Sequence, residues 1–366
     1  MSEILERAPQ VQQPAKLRII DSDVHPTLRS DSDLDPFLSA RWRQHIREYG
    51  KLARGPYLKR NTYPRFQPML SRRDSWPPDG GPPGSDLDFM REQLLDLYDI
   101  EIGILEPLMP SNLVRNPGLA VALCSAINDW QIEAFAAKES RLRASILIPF
   151  EDAKAAVAEI EKRAADRRFA QIQLTSRSTE PLGRKRYWPI FEAAVAHNLP
   201  IGMHIGGEAG HAPTASGWPS FYIEDHHGLI HSMQCQATSM ILEGVFERFP
   251  TLKVIMIEGG FAWLPTLAWR LDAHFEKMRS ETPQLTRKPS EYMRQNLWVS
   301  TQPMEEPENP VHLRRIIDWV GWDKVVFATD YPHWDFDDPR HAFPCALSER
   351  ERRLIFRDNG LGLYRL

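Results

Sequence analysis

The residues best equipped to do chemistry are acids and histidines that close apolar runs. The stretch Ile19-Ile20-Asp21-Ser22-Asp23-Val24-His25-Pro26 sets Asp21, Asp23 and His25 at alternate positions behind an apolar pair, and Pro26 ends the pattern. Strand side chains alternate between faces, so this spacing predicts that all three project together from a strand's carboxyl end, as metal ligands do. The plainer reading is a strand end dipping its acids into water; partners elsewhere in the chain decide between the two. His204 follows Leu199-Pro200-Ile201, Glu258 follows Val254-Ile255-Met256-Ile257, and Asp330 follows Val325-Val326-Phe327-Ala328-Thr329. A closed parallel barrel brings the carboxyl ends of such runs to one mouth.

Asp23, His25, His204, Glu258 and Asp330 are therefore the candidate metal ligands. Three carboxylates and two imidazoles suit one or two divalent ions of iron, manganese or zinc, with the oxygen-rich set favouring the first two. One ion leaves residual negative charge, whereas two leave about one positive charge for a hydroxide or an anionic substrate. Each ligand has a blander alternative. His25 and His204 are also readable as hydrogen-bonded core histidines, Asp23 as a group orienting His25, and Glu258 as the partner of an arginine at the mouth. Asp330 is costly to bury after a wholly apolar run unless it is paired or metal-bound. Asp21 reads as a support behind the ligands or a strand-end cap.

Around these residues the chain is regular. Its 366 residues, 42% hydrophobic and 26% charged, are enough for a substantial core. Strand-like segments at 19–24, 101–105, 144–148, 170–174, 201–205, 252–257, 297–300 and 325–329 alternate with helix-like ones at 85–98, 117–138, 152–166, 188–197, 226–249, 263–278, 311–320 and 348–358. That alternation predicts an α/β chain folded as a (β/α)8 TIM barrel. No Gly-rich phosphate fingerprint follows the first strand, against an open dinucleotide-binding sheet. Residues 17–366 read as one domain behind a disordered lead at 1–16. Within it, residues 26–85 read as a lid over the barrel mouth, because Trp76-Pro77-Pro78-Asp79-Gly80-Gly81-Pro82-Pro83-Gly84 excludes helix and inner strand.

Composition removes some partners. A formal net charge of -4 gives no electrostatic footprint for nucleic acid, and no apolar run is long enough for a membrane span. Cys124, Cys235 and Cys345 are few, odd in number and far apart, which predicts a reducing, cytoplasmic setting. A small-molecule substrate at the mouth is the expected partner. Arg177, just after the fourth strand, is a candidate anion binder. His333 and His231 are further candidate substrate contacts; His333 also reads as a hydrogen-bond support for Asp330, and His231 as one of a helix-face pair with His227. The lid arginines Arg54, Arg60, Arg65, Arg72 and Arg73, interleaved with Tyr57, Tyr63, Phe66 and Trp76, suit either an acid-binding wall or internal ion pairs and stacking.

The Asp-x-Asp-x-His opening, His204, the Ile257-Glu258-Gly259-Gly260 step, the Thr329-Asp330-Tyr331-Pro332-His333 turn and the closing segment 359–364 resemble the amidohydrolase superfamily. More narrowly they resemble its amidohydrolase-related branch of metal-dependent hydrolases and decarboxylases. The resemblance spans residue 19 to the end and implies a distorted (β/α)8 barrel, a divalent metal at the mouth and a homo-oligomer, a dimer or larger. The usual opening of the family is His-x-His; here Asp23 takes the first position and His25 the second. Glu258 stands where many decarboxylases of the branch carry a histidine. Residues 171–175 lack the lysine that bridges two metals in binuclear members.

The leading expectation is hydrolysis of a small organic acid derivative by a metal-activated water, with Asp330 and Glu258 as catalytic groups and Asp330 accepting the water's proton. Two alternatives stand beside it: a non-haem di-iron or di-manganese monooxygenase on the amidohydrolase fold, and a metal-dependent decarboxylase.

Overall fold

The structure, a computed structural model, describes residues 17–51, 68–109, 114–207, 211–364 and 366. The expected disordered lead at 1–16 and the lid stretch 52–67, which holds Arg54, Arg60, Arg65, Tyr57, Tyr63 and Phe66, lie outside them. Each apolar run forms a strand: β1 (Ile19–Val24), β2 (Ile100–Leu105), β3 (Leu142–Leu147), β4 (Phe169–Thr175), β5 (Ile201–His204), β6 (Val254–Ile257), β7 (Leu297–Ser300) and β8 (Val325–Val326). They pair in chain order as an eight-stranded parallel sheet. Parallel neighbours need crossover connections, which helices such as Pro117–Gln131, Ala153–Arg163, Trp188–Ala196, Tyr222–Leu242 and Pro310–Val320 supply. Short polar side chains start several of them. Asn116 accepts from Leu119 N at 3.2 Å with Pro117 at the first helical position, and Asp152 accepts from Ala155 N at 3.1 Å.

Two apolar layers result. One lies between strands and helices and includes Phe169, Phe191, Met203, Met240, Phe246 and Phe261. A smaller one, of Ile20, Ile104, Ala170, Ile255, Ile257 and Val326, is joined by Leu363 and Tyr364 at the chain's end. Lys253, just before β6, donates to Gly362 O at 3.0 Å, so this closing segment sits at the amino ends of the strands. Burying each large side chain in these layers contributes roughly 1.5–3 kcal/mol, and the filled interior leaves only the carboxyl ends open to chemistry.

The seam between β8 and β1 is where the barrel departs from regularity. Beyond the short β8, Ser22 N donates to Phe327 O at 3.0 Å, Asp330 N to Asp23 O at 3.1 Å and His25 N to Tyr331 O at 2.7 Å. Asp21 clasps the same seam: Oδ1 accepts from Thr329 N at 2.9 Å and Oδ2 from Thr329 Oγ1 at 2.6 Å. A register shift against β2 between Asp21 and Val24 interrupts the two-residue alternation. Asp21 therefore turns to the seam while Asp23 and His25 reach the mouth. This corrects the expectation that all three share one direction.

The insertion after β1 does two things. Trp42, on helix Ala40–Tyr49, packs against Gly118 at the start of the helix after β2, on the barrel's flank. The segment around 68–75 instead crosses to the mouth, where Arg72 N donates to Pro332 O at 3.0 Å and Trp334 N to Leu70 O at 2.8 Å. Arg72 itself is taken up by Asp74 and stacks over Phe336. Among the described residues no helix is long and apolar enough to cross a membrane.

Candidate metal centre

Asp23, His25, His204 and Glu258 converge so closely that one ligand atom from each lies within 4.8 Å of the others, and all four are buried. Asp330 and His333 form an overlapping group with His25 and Glu258. The closest approaches are His25 Nε2 to Asp330 Oδ1 at 2.7 Å and to Asp23 Oδ1 at 3.1 Å, with His204 Nε2 2.8 Å from Glu258 Oε2. The backbone is bent to achieve this. Glu258, just after β6, and Asp330, four residues past β8, stand at φ 60° and 63°, a left-handed conformation that costs a non-glycine residue of order 1–3 kcal/mol. Ser300, at the end of β7, steadies the first by accepting from Glu258 N at 3.0 Å.

Both histidines are oriented by their backbone partners. His25 Nδ1 donates to Glu106 O and His204 Nδ1 to Ile205 O, each at 2.7 Å. In the neutral rings this turns Nε2, with its lone pair, into the cluster. His25 Nε2, His204 Nε2 and both Asp23 carboxylate oxygens are buried there with only the cluster's own acids and imidazoles to face. Donors gathered this closely and cut off from water are the arrangement a cation completes. The donor set fits a divalent ion.

The charges agree. Burial pushes the Asp23 and Asp330 carboxyls well above their ordinary range, with neighbouring carboxylates, Glu258 among them, adding to the shift. Burial and two neighbouring imidazoles hold His25 well below its ordinary value. Burial alone would also lower His204, but the Glu258 and Asp23 carboxylates overcome it and raise the ring to about 10. Without a metal the cluster thus retains protons, and a divalent ion would supply the same positive charge.

Around the ligands stand groups that sequence reading passed over. Glu106 lies beyond β2 under the cluster, raised to about 8 by burial, and accepts from Ser145 Oγ at 3.2 Å and from Gln171 Nε2. Its signal was the same as that of Glu258: an acid ending an apolar run. Gln302 Nε2 donates to Asp330 Oδ2 at 3.1 Å, and His333 Nδ1 sits 2.6 Å from Asp330 Oδ1. Above them opens a cavity of about 300 Å³. His204, Glu258, His333 and Asp335 give it a polar floor, and Leu70, Leu108, Leu147, Leu229, Tyr222 and Trp334 give it apolar and aromatic walls. His226 lines it too, with Nε2 3.5 Å from Asp335 Oδ2.

Of the three expected substrate contacts, His333 lines this cavity. Arg177 does not: its guanidinium donates to Gly207 O at 3.1 Å and to His211 O. His231 lies with Arg177 along a separate cavity and packs its ring edge-on to His227.

A parallel eight-stranded barrel with carboxylates and imidazoles gathered at the carboxyl ends of its strands defines a metal-dependent barrel enzyme. The chain belongs to the amidohydrolase family, whose model, described as Amidohydrolase, matches residues 20–366. It is similar to gamma-resorcylate decarboxylase of Polaromonas sp., 25% identical over 303 residues that cover 77% of this chain and 88% of the relative. Among solved structures it resembles an amidohydrolase of Mycobacterium avium subsp. paratuberculosis, with a TM-score of 0.72 and 21% identity over 95% of this chain and 99% of that one. It also resembles a dihydroxybenzoic acid decarboxylase of Polaromonas sp. with bound manganese and the inhibitor 2-nitroresorcinol, at TM-score 0.64 and 20% identity, covering 95% and 96% of the two chains.

Proposed function

We propose that this chain is a divalent-metal-dependent decarboxylase, manganese being the first metal to try, that releases CO2 from a small aromatic or enolic carboxylic acid. The relatives named above support this alternative over hydrolysis, the leading expectation from sequence. The observation that carries the reading is a buried cluster of converging metal donors at the floor of an apolar-walled cavity of about 300 Å³, the lower end of the range for small-ligand sites. A homodimer in the cytoplasm completes the proposal, and sedimentation checks the dimer.

Asp330 is placed for the proton transfer: its Oδ1 lies 2.6 Å from Nδ1 of His333, which lines the cavity. When bound, the metal would anchor and polarise the substrate's carboxylate and adjacent oxygen; Asp23, His25, His204, Glu258 and Asp330 would hold it. The bond from ring carbon to carboxylate breaks with its electron pair left on carbon. That carbon takes the proton of Asp330, and CO2 departs. His333, hydrogen-bonded to Asp330 and lining the cavity, then returns a proton from solvent. Leu70, Leu108, Leu147 and Trp334 exclude water from the carbanionic carbon.

The test is CO2 release from a panel of ortho-hydroxybenzoates by manganese-loaded protein, with Asp330→Asn lowering kcat by roughly 10²–10⁴-fold. Inactivity on every acid, together with turnover of esters or amides, would return the chain to hydrolysis.

A further inference from the structure

Among the described residues Glu258 belongs to every group of converging donors. It groups with Asp23, His25 and His204, and separately with His226 and Asp335, whose ligand atoms lie within 4.8 Å of one another and of Glu258. His226 comes from the first turns of helix Tyr222–Leu242 and Asp335 from the loop after β8, neither of them a strand end. Both are held at the mouth. Trp334 Nε1 donates to Tyr222 OH at 3.1 Å, and the His226 ring packs against both, at centroid distances of 5.7 Å from Tyr222 and 6.1 Å from Trp334.

The two positions differ in access: His226, Asp335 and Glu258 all line the cavity, whereas of the other donors His204 lines it and Asp23 and His25 do not.

We propose that Glu258 bridges two divalent cations: a deep one on Asp23, His25, His204 and Asp330, and a second one on His226 and Asp335 that faces the substrate. The deep cation is the one on which the proposed function rests; the second adds to it. An anionic carboxylate entering the cavity meets the second cation first, which assigns to that position the capture of the acid group. The glutamate at the end of β6 is then explained, since a carboxylate offers two oxygens to two ions where a histidine would offer one nitrogen.

The experiment is equilibrium dialysis of the full chain against Mn²⁺, with elemental analysis and electron paramagnetic resonance. Expected are two manganese ions per chain with an exchange-coupled spectrum. Asp335→Asn and His226→Gln should each retain one ion and give the six-line spectrum of an isolated ion; the pair of variants guards against either one failing to fold. Saturation of the wild type at one ion per chain overturns the second position and leaves the decarboxylase reading standing. Two coupled ions in both variants overturn the assigned ligands. No bound manganese in the wild type overturns both readings.

Discussion

Filling the metal centre should expel protons, and the structure sets how many. In the metal-free cluster His204 is raised to about 10, burial being outweighed by the Glu258 and Asp23 carboxylates. A raised pKa means the proton is held below about 10 and released above it, and a metal needs the neutral ring. Each pH unit below that value therefore costs a factor of ten in apparent affinity, about 1.4 kcal/mol. Between pH 8 and pH 6, His204 alone should weaken Mn²⁺ binding on the order of 100-fold. Asp23 and Asp330, also pushed up by burial, steepen the dependence wherever they still carry protons. Calorimetric titration of the metal-free chain with Mn²⁺ at pH 7, in two buffers of different ionisation enthalpy, counts the protons. Between about one and three should leave per chain. Uptake without proton release, with equal affinity at pH 6 and pH 8, would refute the electrostatic account.

Three further outcomes follow from single contacts. Gln302→Leu removes the donor to Asp330 Oδ2 at 3.1 Å and should weaken Mn²⁺ binding roughly 10–100-fold with the fold intact, measured by competition against a chelating dye. Gly84→Ala would put a Cβ 2.2 Å from the His25 carbonyl oxygen at φ +77°; denaturant titration should show a loss above about 2 kcal/mol, with metal affinity falling alongside. Asp21 keeps its proton to about 7 in the folded chain because it is buried, against 3.8 ordinarily, so folded protein binds the extra proton between those values and stability falls as pH rises through that window. The drop amounts to about 4 kcal/mol at most, and Asp21→Asn should flatten it in metal-free protein; identical pH slopes for the two chains would count against the clasp.

The barrel was legible because its signal is local. Apolar runs such as 254–257 and 297–300, separated by stretches of helical period, are sufficient to specify β6 and β7. Alternation within β1 was a poorer guide, since a bulge is set by the neighbouring strand's register and leaves no mark in the six residues themselves. The helix Pro289–Asn296 escaped notice because its eight residues are mostly polar, and its stability comes from burying Tyr292 and Met293 against the rest of the fold. At β8 the reverse happened. Five apolar and small residues promised a longer strand, but only Val325–Val326 keeps ladder geometry before the chain bends into the seam.

The site divides along the same line. Ligands that end strands announce themselves, because a charge after an apolar run is conspicuous in sequence; Glu106 carries the identical mark, and only its engagement by Ser145 and Gln171 separates a support from a ligand. His226 and Asp335 carry no such mark. They sit 109 residues apart, and what joins them is the docking of Trp334 on Tyr222. Arg177 shows the converse, a cation well placed by strand position yet spent on the carbonyls of Gly207 and His211. Strand ends thus encode where a metal binds, while loops and helix starts decide what else reaches it. Two residues from that loop and helix start would convert a one-metal floor into a two-metal one, so substituting Tyr222→Ala, which removes the ring packed on His226, should release His226 and loosen the second ion while the first stays bound.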